Sequence, residues 1–448
     1  MAQTFDSEHQ QSLPQRRQAV ARIIHSLWTQ GGSDESGLAP VLLDGRIDVL
    51  GAYVTCHDFA PHSTVDQTRE IERRHCRDLD YNDFVSTFMI PNQPVIIGGL
   101  MEGWRATQEW ASADNHGISR PNLQRLADLF GNDIVPVHVQ ARGGFTTNRP
   151  KKVEMTLAEY ANWWESRTDD DSELLYLKDW KFAAVHGDYQ AYECPKYFLN
   201  DWLNGAMGHA YKFVYLGPAG TTTRLHADVL WSFSWSTNVC GRKKWYLIPP
   251  QHTHLLYDCF GIHLASHLHA DWENGLDVFF PGLAKAREHV IEVVQEAGET
   301  MFVPSGWHHT VENLEPTLSI NHNWLNGANI HWSWQKLRTE LESLFAHSLE
   351  HCSLECNNPN SRQDQSGDSA QIGDDLLLLW YVLSKKAQWA MASSTQSKDA
   401  ATNDLIAIHP ILKDIKQFVE QGKDHGLTTR CHCNIDELFT SIEEYFSI

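Results

Sequence analysis

The chain has 448 residues, 42% of them hydrophobic, and a formal net charge of −21. This length and composition fit a globular protein with one large domain and a smaller one. This negative net charge argues against a protein that binds phosphate backbones, so no direct binding of nucleic acid is expected. An acidic surface that keeps the protein in solution is the simplest interpretation, and a basic partner is the alternative.

The N-terminal segment, the apolar runs and the cysteines argue against a secreted, membrane-spanning or disulfide-linked protein. Residues 1–30 begin polar and lack the apolar segment of a secretory signal, and the longest apolar run, 375–383, is too short to span a bilayer. The nine cysteines contain no Cys-x-x-Cys pair, so neither a disulfide framework nor a zinc ribbon is indicated. A second metal site at Cys352, Cys356, Cys431 and Cys433 stays open as an alternative. We expect a soluble cytoplasmic protein, with nuclear presence left open.

The first two segments of the chain differ in regularity. Residues 1–56 predict a short helix and a linker, and residues 57–205 predict an α+β part. That part has a capped helix at YNDFVSTFMIP, starting at Tyr81, and a buried strand at PVIIGGL. Helices follow at PNLQRLADLFG and TLAEYANWWES, and strands at IVPVHV and LLYLKDW.

Residues 206–330 are rich in predicted strands. Aromatic and β-branched residues at 211–216 (YKFVYL) and 230–239 (LWSFSWSTNV) predict two strands joined by the turn 217–220, and 241–250 (GRKKWYLIPP) predicts a third. Residues 331–448 predict helices with apolar stripes, interrupted at 357–372 by a segment of loop or disordered composition. We expect these helices to serve packing or the formation of a homodimer.

One motif in the strand-rich segment has the composition of a metal site. In a strand, the side chains of His226 and Asp228 point to the same face, and His309 follows about eighty residues later. Two imidazoles and one carboxylate are the ligands of a mononuclear non-haem Fe(II) with open coordination positions. Two other His-x-Asp pairs, 186/188 and 269/271, lack flanking strands, and we interpret them as surface and turn residues.

The motifs resemble those of a known family. Residues 213–250 and 296–329 resemble the core of jumonji-C (JmjC) oxygenases, through His226-x-Asp228, Lys243 and the segment from Pro304 to His309 (PSGWHH). The strings YLKDW, SFSWSTNVCGRKKW, FVPSGWHH and SINHNWLNG are similar to the jumonji-C-domain-containing protein 4 branch. The resemblance covers about 81–329. It implies an α+β fold built on a double-stranded β-helix, the jelly-roll or cupin-type barrel, with flanking helices and a C-terminal helical region.

The same resemblance implies the cofactors and their ligands. Fe(II) would be held by His226, Asp228 and His309, with 2-oxoglutarate and dioxygen as cosubstrates. Composition alone does not decide between His308 and His309, whereas the family position favours His309. Likewise, only one of two neighbouring lysines can enter a barrel, and the family offset selects Lys243 over Lys244 for the distal carboxylate of 2-oxoglutarate.

Further cosubstrate contacts are implied on three strands. Thr223 matches a position from which the family donates a hydroxyl group. Ser236 shares a strand face with Ser232, Ser234 and Asn238, but many relatives have asparagine in its place. Asn321 and Asn323 are candidates for the barrel interior, with ordinary sheet-edge or turn residues as the alternative.

The activity implied by the resemblance is lysyl hydroxylation of the eukaryotic translation-termination (release) factor, a cytoplasmic protein substrate. Demethylation of N-methyl-lysine is an alternative, disfavoured because reader domains and zinc modules are missing from the sequence. A non-catalytic cupin-like binding module is a second alternative, disfavoured by the complete set of His, Asp, His and Lys. Fold alone does not separate these activities.

Overall fold

The computed structural model describes residues 70–113, 117–142, 151–168, 172–258, 264–268, 280–340, 366–392, 398–422 and 441–442. Several sequence-based predictions concern residues outside these ranges. They are the N-terminal helix and linker of residues 1–56, the pair His269/Asp271, and the possible second metal site at Cys352, Cys356, Cys431 and Cys433.

The strands of the described residues form two large sheets and one small one. Their bounds are β1 Glu72–His75, β2 Val95–Gly98, β3 Ala111–Ala113, β4 Ser119–Pro121, β5 Ile134–Ala141, β6 Lys151–Thr156, β7 Glu173–Trp180, β8 Lys212–Gly217, β9 Thr222–His226, β10 Phe233–Cys240, β11 Lys243–Ile248, β12 Ile291–Gln295, β13 Glu299–Val303, β14 His308–Asn313 and β15 Thr317–Trp324. The nine-stranded sheet has the order β1-β2-β13-β10-β15-β8-β7-β5-β6, the four-stranded sheet the order β12-β11-β14-β9, and β3 pairs with β4.

The eight strands β8 to β15 build the predicted jelly roll. Strands β8, β10, β13 and β15 belong to the larger sheet, and β9, β11, β12 and β14 to the smaller one, with antiparallel pairing throughout. The chain therefore passes repeatedly from one sheet to the other, as in a double-stranded β-helix. The larger sheet is extended by β1 and β2 at one edge and by β7, β5 and β6 at the other. The predicted fold class is confirmed.

Helices surround the barrel. Their bounds are Tyr81–Phe84, continued by a π-helical turn at Val85–Met89, then Arg105–Glu109, Leu123–Phe130, Leu157–Ser166, Phe182–Val185, Trp202–Met207, Leu283–Ala286, 330–340, Ser366–Ala392 and Lys398–Gly422. The predicted cap is present, since the Asp80 side chain accepts a hydrogen bond from the backbone of Asp83. Among the described residues, no helix combines the length and the apolar character that crossing a membrane requires.

Alternation along the barrel strands separates two environments. Outward-facing Phe233, Trp235 and Trp324 of the larger sheet lie in the main hydrophobic core with the α+β part. A second core joins the two long C-terminal helices to Trp202 and Leu230 beside the barrel. Polar residues at alternate positions of the same strands are left to face the interior, which is where the site lies.

Two predicted boundaries were wrong. The strand predicted from Leu230 begins at Phe233, because Val229–Trp231 form a 3-10 turn in which Leu230 and Trp231 have φ of 54° and 47°. Leu230 is fully buried in the core with the C-terminal helices, so tertiary packing overrides its strand propensity. The loop predicted at 357–372 ends early, since a helix begins at Ser366.

Candidate active site

His226 and His309 lie opposite each other in the smaller sheet. His226 ends β9, His309 is the second residue of β14, and the two are cross-strand partners with ring centroids 4.4 Å apart. Asp228 follows His226 by two residues. One ligand atom of each of the three residues lies within 4.8 Å of the others, and this is the one such group among the described residues.

The backbone fixes which nitrogen of each ring faces the site. Nδ1 of His226 donates to the carbonyl oxygen of Arg224 at 2.8 Å, and Nδ1 of His309 donates to that of Trp307 at 3.0 Å. A carbonyl only accepts, so Nδ1 carries the proton and Nε2 is the available donor atom for a metal. Burial, with the nearby His309, lowers the pKa of His226 to about 3, so the ring is neutral, as a metal ligand must be.

Asp228 supplies the negative charge. Burial works to raise its pKa, but His309, His226 and hydrogen bonds from Ser234 and Asn323 together hold the pKa below its ordinary value. The Ser234 hydroxyl donates to Oδ2 of Asp228 at 2.6 Å. An ionised carboxylate beside two neutral imidazoles fits Fe(II), and it leaves further coordination positions for a chelating cosubstrate and dioxygen.

His308 lies on the other side of β14. Its Nδ1 donates to the carbonyl oxygen of Gly306 at 3.1 Å, and the Thr253 hydroxyl lies 3.4 Å from the same nitrogen. Burial lowers the pKa of His308 to about 4, so it is a neutral core residue. The structure therefore brings His309, and not His308, to His226 and Asp228.

The two neighbouring lysines also point in opposite directions. Lys243 is 2% exposed, and its ammonium group donates to the hydroxyl of Ser319 at 2.6 Å inside the barrel. Burial, with the nearby charge of Lys178, lowers the pKa of Lys243 to about 7. Lys244 faces outward and pairs with Glu292 at 2.8 Å. A buried ammonium group without a carboxylate partner is costly, and a dicarboxylate ligand would supply that partner.

Thr223 reaches the interior through an irregularity of β9. Thr223 pairs with Val311, and His226 pairs with His309. Between these two pairs β9 advances by three residues and β14 by only two, so β9 contains one extra residue. This bulge turns Thr223 to the same face as His226. Its side chain contacts Tyr176 of β7, which also contacts Asn313. Sequence reasoning missed Tyr176, although it stands in the quoted string YLKDW.

Three buried polar atoms of the barrel strands, Ser236 Oγ, Asn238 Oδ1 and Asn313 Oδ1, have no hydrogen-bond partner among the described residues. Buried polar atoms are rarely left unpaired, so the arrangement fits a polar ligand in this space. The residues present therefore suit 2-oxoglutarate, which carries carboxylate and keto oxygens.

The two asparagines of β15 serve different ends of the site. Asn323 donates to Ser232 Oγ at 3.2 Å and also hydrogen-bonds Asp228, one of the candidate metal ligands. Asn321 donates to Ser319 Oγ at 3.1 Å, next to the ammonium group of Lys243. Neither is the sheet-edge or turn residue of the alternative interpretation, because β15 lies inside the larger sheet.

The second His-x-Asp pair has no such surroundings. His186 Nε2 contacts Asp133 Oδ2 at 2.6 Å, and Asp188 lies in a 3-10 turn. This pair takes no part in a metal group among the described residues.

The barrel and most of the α+β part before it are similar to known proteins. Residues 81–330 match the family model described as a cupin-like domain. Over 287 residues the chain is 40% identical to "Arginine-specific demethylase JMJ20" of Arabidopsis thaliana, covering 60% of each protein. It is 40% identical over 302 residues to "2-oxoglutarate and iron-dependent oxygenase JMJD4" of Danio rerio, covering 63% of this chain and 69% of the relative. The protein of that name from Homo sapiens is 38% identical over 280 residues, covering 59% and 63%.

Proposed function

We propose that this chain, which belongs to the cupin-like family of JmjC oxygenases that use iron and 2-oxoglutarate, is a protein hydroxylase. Its proposed substrate is a lysine of the eukaryotic translation-termination (release) factor. The oxygenase class rests on the family match and on the relatives of Danio rerio and Homo sapiens. The lysine and the release factor rest on the resemblance of the strings YLKDW and SINHNWLNG to one branch of the family. A cytoplasmic location would follow from that substrate.

The observation that carries the oxygenase activity is the group of His226, Asp228 and His309 with Lys243 behind it. Bound Fe(II) and 2-oxoglutarate would use dioxygen to insert an oxygen atom into a substrate C–H bond. The chain's own residues have simpler tasks. The two histidines and Asp228 hold the metal, Lys243 holds the distal carboxylate, and the surrounding barrel keeps water away from the reacting atoms.

A second candidate is the removal of N-methyl groups. The relative from Arabidopsis thaliana is named an arginine-specific demethylase, and its match to this chain is as strong in identity as that of the oxygenase from Danio rerio. Hydroxylation of an N-methyl carbon gives an unstable product that releases formaldehyde, so the same metal centre would serve both reactions. N-methyl-lysine is the related alternative substrate.

Mass spectrometry of reacted peptides separates the candidates. Release-factor protein and peptides with unmodified lysine, N-methyl-lysine or N-methyl-arginine are incubated with the protein, Fe(II), 2-oxoglutarate and air. The proposal expects a gain of one oxygen atom on an unmodified lysine. Loss of a methyl group from a methylated peptide would instead support demethylation. The Asp228→Ala variant is the control for uncatalysed oxidation.

If none of these substrates reacts, a search for binding partners in cell extract would follow. The Asp228→Ala protein and the unaltered protein, each with a 2-oxoglutarate analogue, serve as baits in cell extract. A protein substrate that depends on the assembled site would be retained by the unaltered protein and lost with Asp228→Ala. Release factor absent from the retained fraction would contradict the proposed substrate and leave the oxygenase class intact.

We further propose that the C-terminal helices join two copies of the chain. Tyr381, Trp389 and Ile406 of these helices are 44%, 44% and 56% exposed, which is high for large apolar side chains. Sedimentation would show a dimer that Tyr381→Glu converts to a monomer. Ile134→Glu is the matched control, because Ile134 is 60% exposed on β5, away from these helices.

A further inference from the structure

The turn that follows Asp228 contains a tryptophan in an unusual conformation. Leu230 and Trp231 are consecutive non-glycine residues with φ of 54° and 47°, in the left-handed region that such residues rarely adopt. Leu230 is fully buried in the core with the C-terminal helices, whereas Trp231 is half-buried and belongs to none of the hydrophobic cores of the described residues. The burial of Leu230 therefore holds the turn in a strained conformation that presents Trp231 beside the barrel. Backbone strain of this kind is concentrated at functional sites.

Trp231 contacts both chain segments that lead to the metal ligands. Its backbone N–H donates to the carbonyl oxygen of Asp228 at 2.9 Å. Its ring packs against Gly306, where a Cβ atom would lie 3.3 Å from Cε3 of Trp231, and Gly306 precedes His309 by three residues. The ring centroid of Trp332 is 6.5 Å from that of Trp231. These contacts hold the indole ring at the end of the barrel where Asp228 and His309 lie.

Trp231 and Lys243 mark opposite ends of β14. Gly306, which the Trp231 ring contacts, lies two residues before the strand begins, and His309 is its second residue. Lys243 pairs with Asn313, the last residue of the strand. A cosubstrate that extends from the metal to Lys243 therefore leaves the end with Trp231 for another ligand. In an oxygenase that ligand is the substrate, whose C–H bond must come close to the metal.

The indole N–H of Trp231 has no acceptor. Nε1 makes no hydrogen bond within the described part of the chain and is not one of its buried unpaired polar atoms, so water reaches it. By contrast, Nε1 of Trp245 donates to Gln295 Oε1 at 2.8 Å, and Nε1 of Trp307 donates to the carbonyl oxygen of Asn92 at 2.9 Å. Trp231 thus offers an apolar ring face and a free hydrogen-bond donor to a ligand.

The chemistry of this position suits a long basic side chain. Among aromatic rings, the indole ring attracts a cation most strongly. Lysine and arginine each combine a flexible apolar stem, which packs on a ring face, with a cationic end. The net charge of −21 also favours a basic partner.

We propose that Trp231 is a substrate-binding residue, whose indole ring receives a lysine or arginine side chain of the protein substrate beside the metal. The inference rests on the oxygenase class of the proposed function, and it does not depend on the release factor as the substrate. Hydroxylation of lysine and demethylation of N-methyl-lysine or N-methyl-arginine all act on basic side chains. Because the ring contacts the substrate alone, its removal should leave the metal and the cosubstrate bound.

A small probe tests this contact without any protein substrate. n-Butylammonium has the aliphatic chain and the charge of a lysine side chain, and n-butanol is a neutral molecule of similar length. The full chain is loaded with 2-oxoglutarate and with Mn(II), which does not support turnover. Paramagnetic relaxation of the probe's protons reports their proximity to the metal. The unaltered protein should relax n-butylammonium more strongly than n-butanol.

Trp231→Gly is the main variant, because glycine removes the ring and suits a positive φ, so the protein should stay folded. The affinity for n-butylammonium should fall by about three- to tenfold, equivalent to ~0.6 to ~1.4 kcal/mol. Trp231→Phe should keep most of this affinity, since it retains an aromatic ring. Trp163→Ala is the matched control, because Trp163 is half-buried against Tyr160 on the helix Leu157–Ser166.

Three results would contradict the proposal. One is the absence of relaxation of n-butylammonium by the unaltered protein, or equal relaxation of the two probes. Another is an unchanged affinity of Trp231→Gly for n-butylammonium. The third is loss of Mn(II) or of 2-oxoglutarate from Trp231→Gly, because the ring would then support the cosubstrate site itself. None of these readouts involves the release factor, so a failure here is distinct from a failure of the proposed lysyl hydroxylation.

Discussion

His226 and His309 are cross-strand partners, and the same kind of hydrogen bond to the backbone orients each imidazole ring. In both residues Nδ1 donates to the backbone carbonyl two residues earlier, at 2.8 Å in His226 and 3.0 Å in His309. Both Nε2 atoms are consequently available to one metal ion, together with Asp228. Because the backbone sets these orientations, a metal ion would meet ligand atoms that are already in place.

The first prediction concerns Lys243. Lys243→Ala removes the cation that pairs with the distal carboxylate, so the affinity for 2-oxoglutarate should fall by about two orders of magnitude, or ~2.8 kcal/mol. Iron content should stay near normal, since Lys243 is not a metal ligand. Lys244→Ala is the matched control, because Lys244 faces outward against Glu292. Equal effects of the two variants would show that the orientation of β11 is wrong.

The second prediction concerns pH. The pKa of Lys243 is about 7, lowered by burial and then by Lys178. Below this pH the ammonium group is charged and ready to bind a carboxylate, whereas above it binding must take up a proton. The affinity for 2-oxoglutarate should therefore weaken as pH rises above 7, by up to about tenfold per unit. Calorimetry across this range should show the effect in the unaltered protein and not in Lys243→Arg, since arginine stays charged.

The third prediction concerns the turn between β10 and β11, which sets the register of Lys243. Gly241 has φ of 76°, and a Cβ atom there would overlap the carbonyl oxygen of Pro316 and the side chain of Thr317. Gly241→Ala should therefore lower the free energy of unfolding by more than the ~1 to 2 kcal/mol expected for left-handed strain alone. Gly103→Ala is the control, because Gly103 has φ of 80° with open space around it.

Thermal denaturation compares these two glycine variants. The melting temperature of Gly241→Ala should fall clearly further than that of Gly103→Ala. Similar melting temperatures would mean that the turn relaxes without cost, and that the close approach to Pro316 does not constrain β11.

Much of the barrel followed from sequence because its strands alternate regularly. Period-two alternation correctly separated the polar face of β10 from Phe233 and Trp235 in the core. The fold class came from the resemblance, since no local pattern states that His226 pairs with His309 across the sheet. Such pairing between distant segments depends on tertiary structure.

The features that the sequence did not predict arise mainly where the backbone is irregular. Strict alternation from His226 would turn Thr223 to the opposite face, and the bulge in β9 reverses this. A bulge in β7 likewise brings Lys178 beside Tyr215, although LLYLKDW appears as an ordinary strand. Leu230 was assigned to a strand because its burial against the C-terminal helices is invisible locally. Bulges and long-range packing therefore account for what sequence reasoning missed.

The most direct test of the metal centre is an anaerobic titration with Fe(II) and 2-oxoglutarate, followed by the visible charge-transfer absorbance of the chelate and by metal analysis. The unaltered protein and His308→Ala should bind iron and develop the band. Replacing His226, Asp228 or His309 by alanine should abolish both the band and the bound iron. Loss of iron and of the band in a folded His308→Ala protein, with both retained in His309→Ala, would contradict the account.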